Sequence, residues 1–321
     1  MIKCTLRYCE QSCIIQPPKD RKQLAVKYAF NPVLSEVKNN FGSVWYQDGL
    51  YHLFYADFTN IYHSISKNGL RWSSGQKILS GETGNWDKGL DCASVFKVPK
   101  SSKGAGWFIF YRGHNEWEKL PSHQIGLAYM INYRWRKHSE NPILSPSSGN
   151  WDGIYNDNGK PTIFDPWGIM KVDSLYYLWF NSDNPKTCRS TGLAVSKDLI
   201  SWRQDQNNPI FKNGRFCVCP FRCADYYYMV VTAGGYQRRH NWFELYRCRF
   251  PTFYEDEREY LGVLLRCGSY GDFDYGYIDG PSILTDNVQR IVPEGQEIRL
   301  YYTGERQVGD WSHGLATFNI E

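Results

Sequence analysis

A chain of 321 residues with 42% hydrophobic and 22% charged residues is long and apolar enough to bury a sizeable core. Its net charge of +4, without any run of lysines and arginines, argues against nucleic acid as a partner. No segment has the length and apolarity to span a membrane. Aromatic residues reach 17%, with 12 Trp and 24 Tyr, which suits packed sheet interfaces and, for the remainder, a sugar-binding face.

The chain begins MIKCTLRYCEQSCIIQPPKDRK, which has no continuous apolar stretch of signal-peptide length, so a cytoplasmic protein with reduced thiols is expected. Of its ten cysteines, Cys4, Cys9 and Cys13 form one cluster and Cys217, Cys219 and Cys223 another. Neither shows paired C-x2-C spacing, so free thiols are expected, with no metal and no cofactor.

From Asn31 onward one unit recurs. Opening phrases stand at Asn31 (NPVL), Gln76 (QKIL), Asn141 (NPIL), Asn208 (NPIF) and Leu261 (LGVLL). Each leads to an inner strand, then to second strands at 51–55, 107–111, 176–180, 226–231 and 298–302. Third strands follow at 61–66, 124–130, 191–196, 243–249 and 313–318. Short strands rich in Tyr, Phe, Trp and Val between Gly, Asn and Asp turns mean an all-β protein. Repeats of about four strands are propeller blades. The expectation is a single domain over 1–321: a five-bladed β-propeller of four-stranded antiparallel blades, starting near residues 31, 76, 141, 208 and 261. Residues 1–30, around Cys13 to Gln16, are expected to supply the missing outer strand of the last blade, because an open ring leaves unpaired edges.

Within the repeat, GNWD recurs at Gly84 and Gly149, and a weaker GDFD lies at Gly271. Each precedes an acid near the start of an inner strand: Asp91, Asp157 and Asp279. A buried turn has little use for a carboxylate there, so these three are the candidate catalytic residues. Asp87 and Asp152 of the Trp-Asp pairs, together with Asp165 and Asp173, read as turn-capping acids. Glu36 and Glu82 are reserve candidates.

The order GNWD, acid, short strand, YYLWF, TGLAVSKDLISWRQ, NPIF resembles the five-bladed β-propeller glycoside hydrolases, a group that includes families 43, 32, 68, 117 and 130. The likeness runs over roughly residues 31 to 320 at the level of blades, and Ser196 to Trp202, repeated at Ser66 to Trp72, is its most typical piece. The resemblance implies carboxylates on innermost strands, projecting into a pocket at one axial end: a base or nucleophile, a proton donor, and a third acid that orients the sugar. Near Asn40 in blade 1 and Val218 in blade 4 the acid is missing. A ring has no fixed start, however, and counting from blade 5 makes Asp279 the base, Asp91 the orienting acid and Asp157 the donor. The donor is then Asp, as in family 130, where family 43 uses Glu. Like charges so close should raise at least one pKa and keep a proton available.

Rim loops supply the candidate substrate contacts: Arg112, His114 and Glu116 after the second strand of blade 2, Arg238 in blade 4, Glu305 in blade 5, and Trp45 in blade 1. The pair Arg238 and Arg239 adds an acidic sugar, such as a uronate, to the substrates to consider. The expected activity is cleavage of a glycosidic bond in an oligo- or polysaccharide. Alternatives are a glycoside phosphorylase and a non-catalytic carbohydrate-binding propeller. A WD-repeat scaffold fits poorly, since its Trp-Asp ends a strand and here it precedes one.

Overall fold

A computed structural model describes residues 15, 18–19, 22–35, 42–98, 106–115, 123–146, 151, 165–184, 188–234, 241–286 and 297–320. These residues form five four-stranded antiparallel sheets. A short strand β1 (Val26–Lys27) comes first. Blade 1 is β2 (Gly42–Gln47), β3 (Leu50–Ala56), β4 (Asn60–Ser66) and β5 (Gln76–Ser80). Blade 2 is β6 (Gly89–Lys97), β7 (Trp107–His114), β8 (Gln124–Ile131) and β9 (Arg134–Lys137). Blade 3 is β10 (Pro166–Val172), β11 (Leu175–Asn184), β12 (Cys188–Ser196) and β13 (Trp202–Gln204). Blade 4 is β14 (Arg215–Cys223), β15 (Tyr226–Ala233), β16 (Trp242–Cys248) and β17 (Glu259–Arg266). Blade 5 is β18 (Tyr277–Ile283), β19 (Ile298–Glu305) and β20 (Trp311–Phe318), completed by β1. Among the described residues no helix is long and apolar enough to cross a membrane.

The strands form for local reasons. Asp48 and Gly49 both adopt positive φ, as a tight two-residue hairpin requires, and so fix the β2–β3 register. Apolar side chains from facing blades then interlock. Trp45, Phe54, Phe96, Phe110 and Phe180 share one cluster across blades 1 to 3, while Phe221, Phe243, Tyr302 and Phe318 fill another between blades 4 and 5.

The repeated phrases end blades and do not open them. QKIL forms β5, the outer strand of blade 1, and LGVLL lies in β17, the outer strand of blade 4. Leu34, Leu144 and Phe211 of the Asn-Pro phrases bridge back to third strands, at His313, Ile125 and Thr191.

Ring closure comes from Val26–Lys27, in the segment before blade 1. Cys13, Cys4, Cys9 and Gln16 lie outside the described residues. Val26 and Lys27 pair with Thr317 and Ala316. The two residues before them donate to blade 4, Leu24 N–H to the Val263 carbonyl at 3.0 Å and Ala25 N–H to that of Leu264 at 2.9 Å. One short segment therefore stitches two blades.

The Trp-Asp pairs do more than cap turns. Trp86 stacks on Tyr111 with centroids 6.0 Å apart, and Trp151 and Phe273 take the same place in blades 3 and 5. Trp151 and Phe273 fill the space left by third-strand glycines Gly192 and Gly314, while Trp86 lies over Gly113 of the second strand and Gly126 faces the Tyr111 ring; a Cβ at any of the four would collide with an aromatic ring. Asp87 accepts the Tyr111 hydroxyl at 3.1 Å and pairs with Lys137 of the outer strand at 2.7 Å. In blade 5 Asp274 does the same with Tyr302 at 2.8 Å and Lys27 at 2.6 Å. These acids thus tie loop, second strand and outer strand together. Asp152 lies outside the described residues. Blade 4 substitutes Glu244 for the glycine, its carboxylate taken by Arg215, Trp242 and Tyr246.

Candidate active site

Four inner strands carry a bulge near their first residues: between Asp91 and Ala93, Pro166 and Gly168, Phe216 and Val218, and Asp279 and Ser282. A bulge twists the strand and re-aims the adjacent side chain. Asp91 faces Arg112 across the ladder, and Asp279 faces Thr303. Asp165, one residue before β10, accepts the Asn181 N–H at 3.0 Å and so holds the equivalent place in blade 3. Phe216 holds it in blade 4, opposite Thr232. Three acids and one phenylalanine thus start the inner strands of blades 2 to 5, all at one axial end.

The acids are bound into one polar network. Arg112 reaches Asp91 with one guanidinium nitrogen and Asp165, at 2.6 Å, with another. Arg189 holds the second Asp165 oxygen at 2.8 Å and lays its guanidinium over the Phe216 ring at 4.4 Å. All four charged residues are buried. Charges removed from water persist only when compensated this completely. Asp279 Oδ1 accepts the Gly280 N–H at 2.8 Å and the Thr232 hydroxyl at 3.2 Å.

Burial dominates the titration of this cluster. It raises Asp279 to about 6, against the lowering influence of Arg189, Cys217 and Gly280. Burial, then the charge of Arg112, holds His114 down to about 3. His123, its ring 5.5 Å from that of His114, is held well below the ordinary histidine range by the same causes. Both imidazoles are therefore neutral. Burial pushes the Cys217 thiol well above its usual value, so it stays protonated.

Of the residues expected from sequence, Asp91, Asp279, Arg112 and His114 come together here. Arg112 is a buried clamp between two blades, where a rim contact was expected. Glu305 ends β19 at the same axial end but is buried, with its carboxylate accepting the Gly309 N–H at 2.7 Å. Trp45 is 4% exposed and packs edge-on against Phe96 and Trp107. Glu82 is exposed and faces Lys137 at 3.2 Å. Asp157, Glu116, Arg238 and Glu36 lie outside the described residues.

Asp165, read from sequence as a turn-capping acid, is instead the buried partner of Arg112 and Arg189, Cys217 is the free thiol expected, and Arg189 has no signal in the sequence. Asp165 could have been found by counting back from the third strand: Gly126, Gly192 and Gly314 face Tyr111, Phe180 and Tyr302, and the next second-strand residue faces the acid. Counting forward from Trp-Asp instead leads to Asp157. Below the acids, all five inner strands line an axial cavity of about 40 Å³, room for little more than water. A sugar would have to be met at the end of the ring. Among the described residues no His, Cys, Asp and Glu side chains group into a metal site.

No family model matches the sequence. It is 24% identical over 129 residues to a levanase from Bacillus sp. (strain L7), spanning 38% of this chain and 14% of that protein. Among solved structures, an α-L-arabinofuranosidase from Lactobacillus brevis is similar at a TM-score of 0.67 and 9% identity, covering 91% of this chain and 93% of that one. A family 117 glycoside hydrolase from the marine bacterium Zobellia galactanivorans aligns at a TM-score of 0.63 and 11% identity, covering 92% and 89%. An α-L-arabinofuranosidase from Podospora anserina aligns at 0.58 and 13% identity, covering 96% and 95%. The chain shares the five-bladed propeller fold of glycoside hydrolases from several families, with no single family assigned.

Proposed function

We propose that this protein is a glycoside hydrolase that cleaves a glycosidic bond in an oligo- or polysaccharide at the axial end bearing Asp91, Asp165 and Asp279. The observation that carries the reading is the register: three carboxylates at equivalent ladder positions of three inner strands, in a ring shared with glycoside hydrolases. Bond cleavage of this kind needs one carboxyl that bears a proton and one that is ionised. Asp279, raised to about 6 by burial, suits the donor better than the base expected from sequence. Asp91, with Arg112 as its ion-pair partner, suits the base, and Asp165, held by two guanidinium groups, the orienting acid. Asp165 takes the blade 3 place expected for Asp157.

His114, as a neutral imidazole, can exchange hydrogen bonds with sugar hydroxyls. An acidic sugar would need a cation beyond Arg112 and Arg189, whose charges face the cluster's own acids. Among the described residues Cys217, Cys219, Cys223, Cys248 and Cys267 are free thiols, which supports a cytoplasmic protein.

The test is release of reducing ends from a panel of aryl glycosides and oligosaccharides by wild type, Asp91→Asn, Asp165→Asn and Asp279→Asn. Turnover by wild type and its loss in the variants supports the reading. Undiminished turnover in all three overturns the assignment of the site. The burial of Asp91 and Asp165 favours a second reading, a carbohydrate-binding propeller without chemistry. Sugar binding by calorimetry with no turnover across the panel would establish it.

A further inference from the structure

In three successive blades the second-strand residue opposite the head of the inner strand reaches across to the next blade. Arg112 of blade 2 takes Asp165 of blade 3, and Asn181 of blade 3 accepts the Cys217 N–H of blade 4 at 3.0 Å. Thr232 holds this position in blade 4, opposite Phe216, and its hydroxyl stands 3.2 Å from Asp279 Oδ1 of blade 5. The same hydroxyl stands 3.3 Å from the Cys217 carbonyl of its own blade. Thr232 is fully buried, so bulk water cannot take the place of either acceptor.

A hydroxyl has one proton and gives it to one of two such acceptors at a time. Which one receives it depends on the charge of Asp279, because a hydrogen bond to a carboxylate is roughly twice as strong as one to a neutral oxygen. With Asp279 protonated, Oδ1 is a neutral oxygen already engaged by the Gly280 N–H at 2.8 Å, and the Cys217 carbonyl competes for the hydroxyl on equal terms. We propose that Thr232 is a positioning residue for Asp279, its hydroxyl turning from the Cys217 carbonyl to Oδ1 as the acid gives up its proton. The proposal rests on the reading of Asp279 as the proton donor. In that step the carboxyl O–H bond breaks, a new O–H bond forms on the leaving oxygen as the glycosidic bond parts, and Thr232 keeps its own proton throughout. The turned hydroxyl meets the negative charge where it develops, with no movement of a heavy atom. Asp279 is also faced by Arg189 and Asp165 from blade 3 and by Cys217 from blade 4. Within blade 5 its ladder partner Thr303 lies 3.4 Å from His313, which burial keeps neutral.

Two readouts on the full-length protein need no substrate. The Asp279 carboxyl, followed by 13C NMR and assigned by its loss in Asp279→Asn, should titrate about one unit higher in Thr232→Val, which removes the donor and keeps the side chain's size. Thr232→Ser, which restores the hydroxyl, should return it toward the wild-type value. In protein labelled with 13C at its cysteine carbonyls, the Cys217 signal, assigned by its loss in Cys217→Ala, should move upfield as pH climbs through about 6 and its hydrogen bond is given up. That movement should shrink in Thr232→Val. With a cleaved glycoside in hand, the alkaline limb of kcat/KM should rise by the same unit in Thr232→Val. Thr232→Ala serves in its place if the valine variant does not fold. An Asp279 titration unmoved by loss of the hydroxyl, equal shifts in the valine and serine variants, or a Cys217 carbonyl movement identical in wild type and Thr232→Val would each overturn the proposal. Both NMR results as expected in a protein that cleaves no glycoside would sustain the role of Thr232 and count only against the glycosidase reading.

Discussion

Lys27 and Asp274 meet across the seam of the ring, the lysine Nζ standing 2.6 Å from a carboxylate oxygen shielded from solvent. Lys27 belongs to the first strand and Asp274 to the loop before the innermost strand of the last blade. Lys27→Met would leave that carboxylate with only the Tyr302 hydroxyl and should cost ~2 kcal/mol or more. Tyr302→Phe should cost about 1 kcal/mol. Urea unfolding checks both, and an unchanged midpoint in Lys27→Met would refute the seam's contribution.

Arg112 neutralises two buried acids from different blades. Arg112→Met should therefore destabilise by ~3 kcal/mol or more, because two carboxylates lose their shared counter-charge. Adding Asp91→Asn should recover part of the loss, since an amide is cheaper to bury than an unpaired carboxylate. Additive costs in the double variant would contradict a shared network.

Asp279 as donor and Asp279 as base give opposite pH dependences. A donor must be protonated, so kcat/KM should fall as pH rises through about 6. A base would make it rise over the same window. Asp279→Asn should lower turnover by about 10²- to 10⁴-fold, and less for aryl leaving groups that need no proton.

Stability should respond to pH with two opposing signs. The Asp279 carboxyl is raised from 3.8 to about 6, so its favourable contribution is complete below 3.8 and lost as pH climbs through 6. Asp279→Asn should then be more stable than wild type at neutral pH, by roughly 2 to 3 kcal/mol. His63, His114 and His313 are depressed by burial to about 4, 3 and 4. Their contribution is complete above 6.5 and lost as pH falls toward those values. Three histidines outnumber one aspartate, so urea midpoints should decline from neutral pH toward 4, and His313→Gln should flatten that decline.

The ring was legible in the sequence because each blade repeats its own packing problem. A third-strand glycine must sit under an aromatic ring, and the chain announces both at Gly126 with Tyr111 and at Gly192 with Trp151. The acid of blade 3 was harder to read, because the stretch between Asp152 and Asp165 is longer than that between Asp87 and Asp91 and displaces the match to Asp157. Arg112 read as a rim residue because its partners come from two blades, and contact between blades leaves no local pattern. Trp45 read as a sugar contact for the same reason. Its edge-on neighbours, Phe96 and Trp107, belong to blade 2.

The stitching segment also sets an order of events during synthesis. Asn31 holds both the N–H and the carbonyl of Leu315, 284 residues away, and β1 has no partner until β20 exists. Of the two, the earlier-made strand must therefore wait for the later, with its hydrogen-bonding groups served by water. Contacts so distant in sequence make for slow folding and a long-lived open edge. A circular permutant that links Phe318 to Val26 through a short loop, and is cut between blades, would convert this seam into an ordinary hairpin.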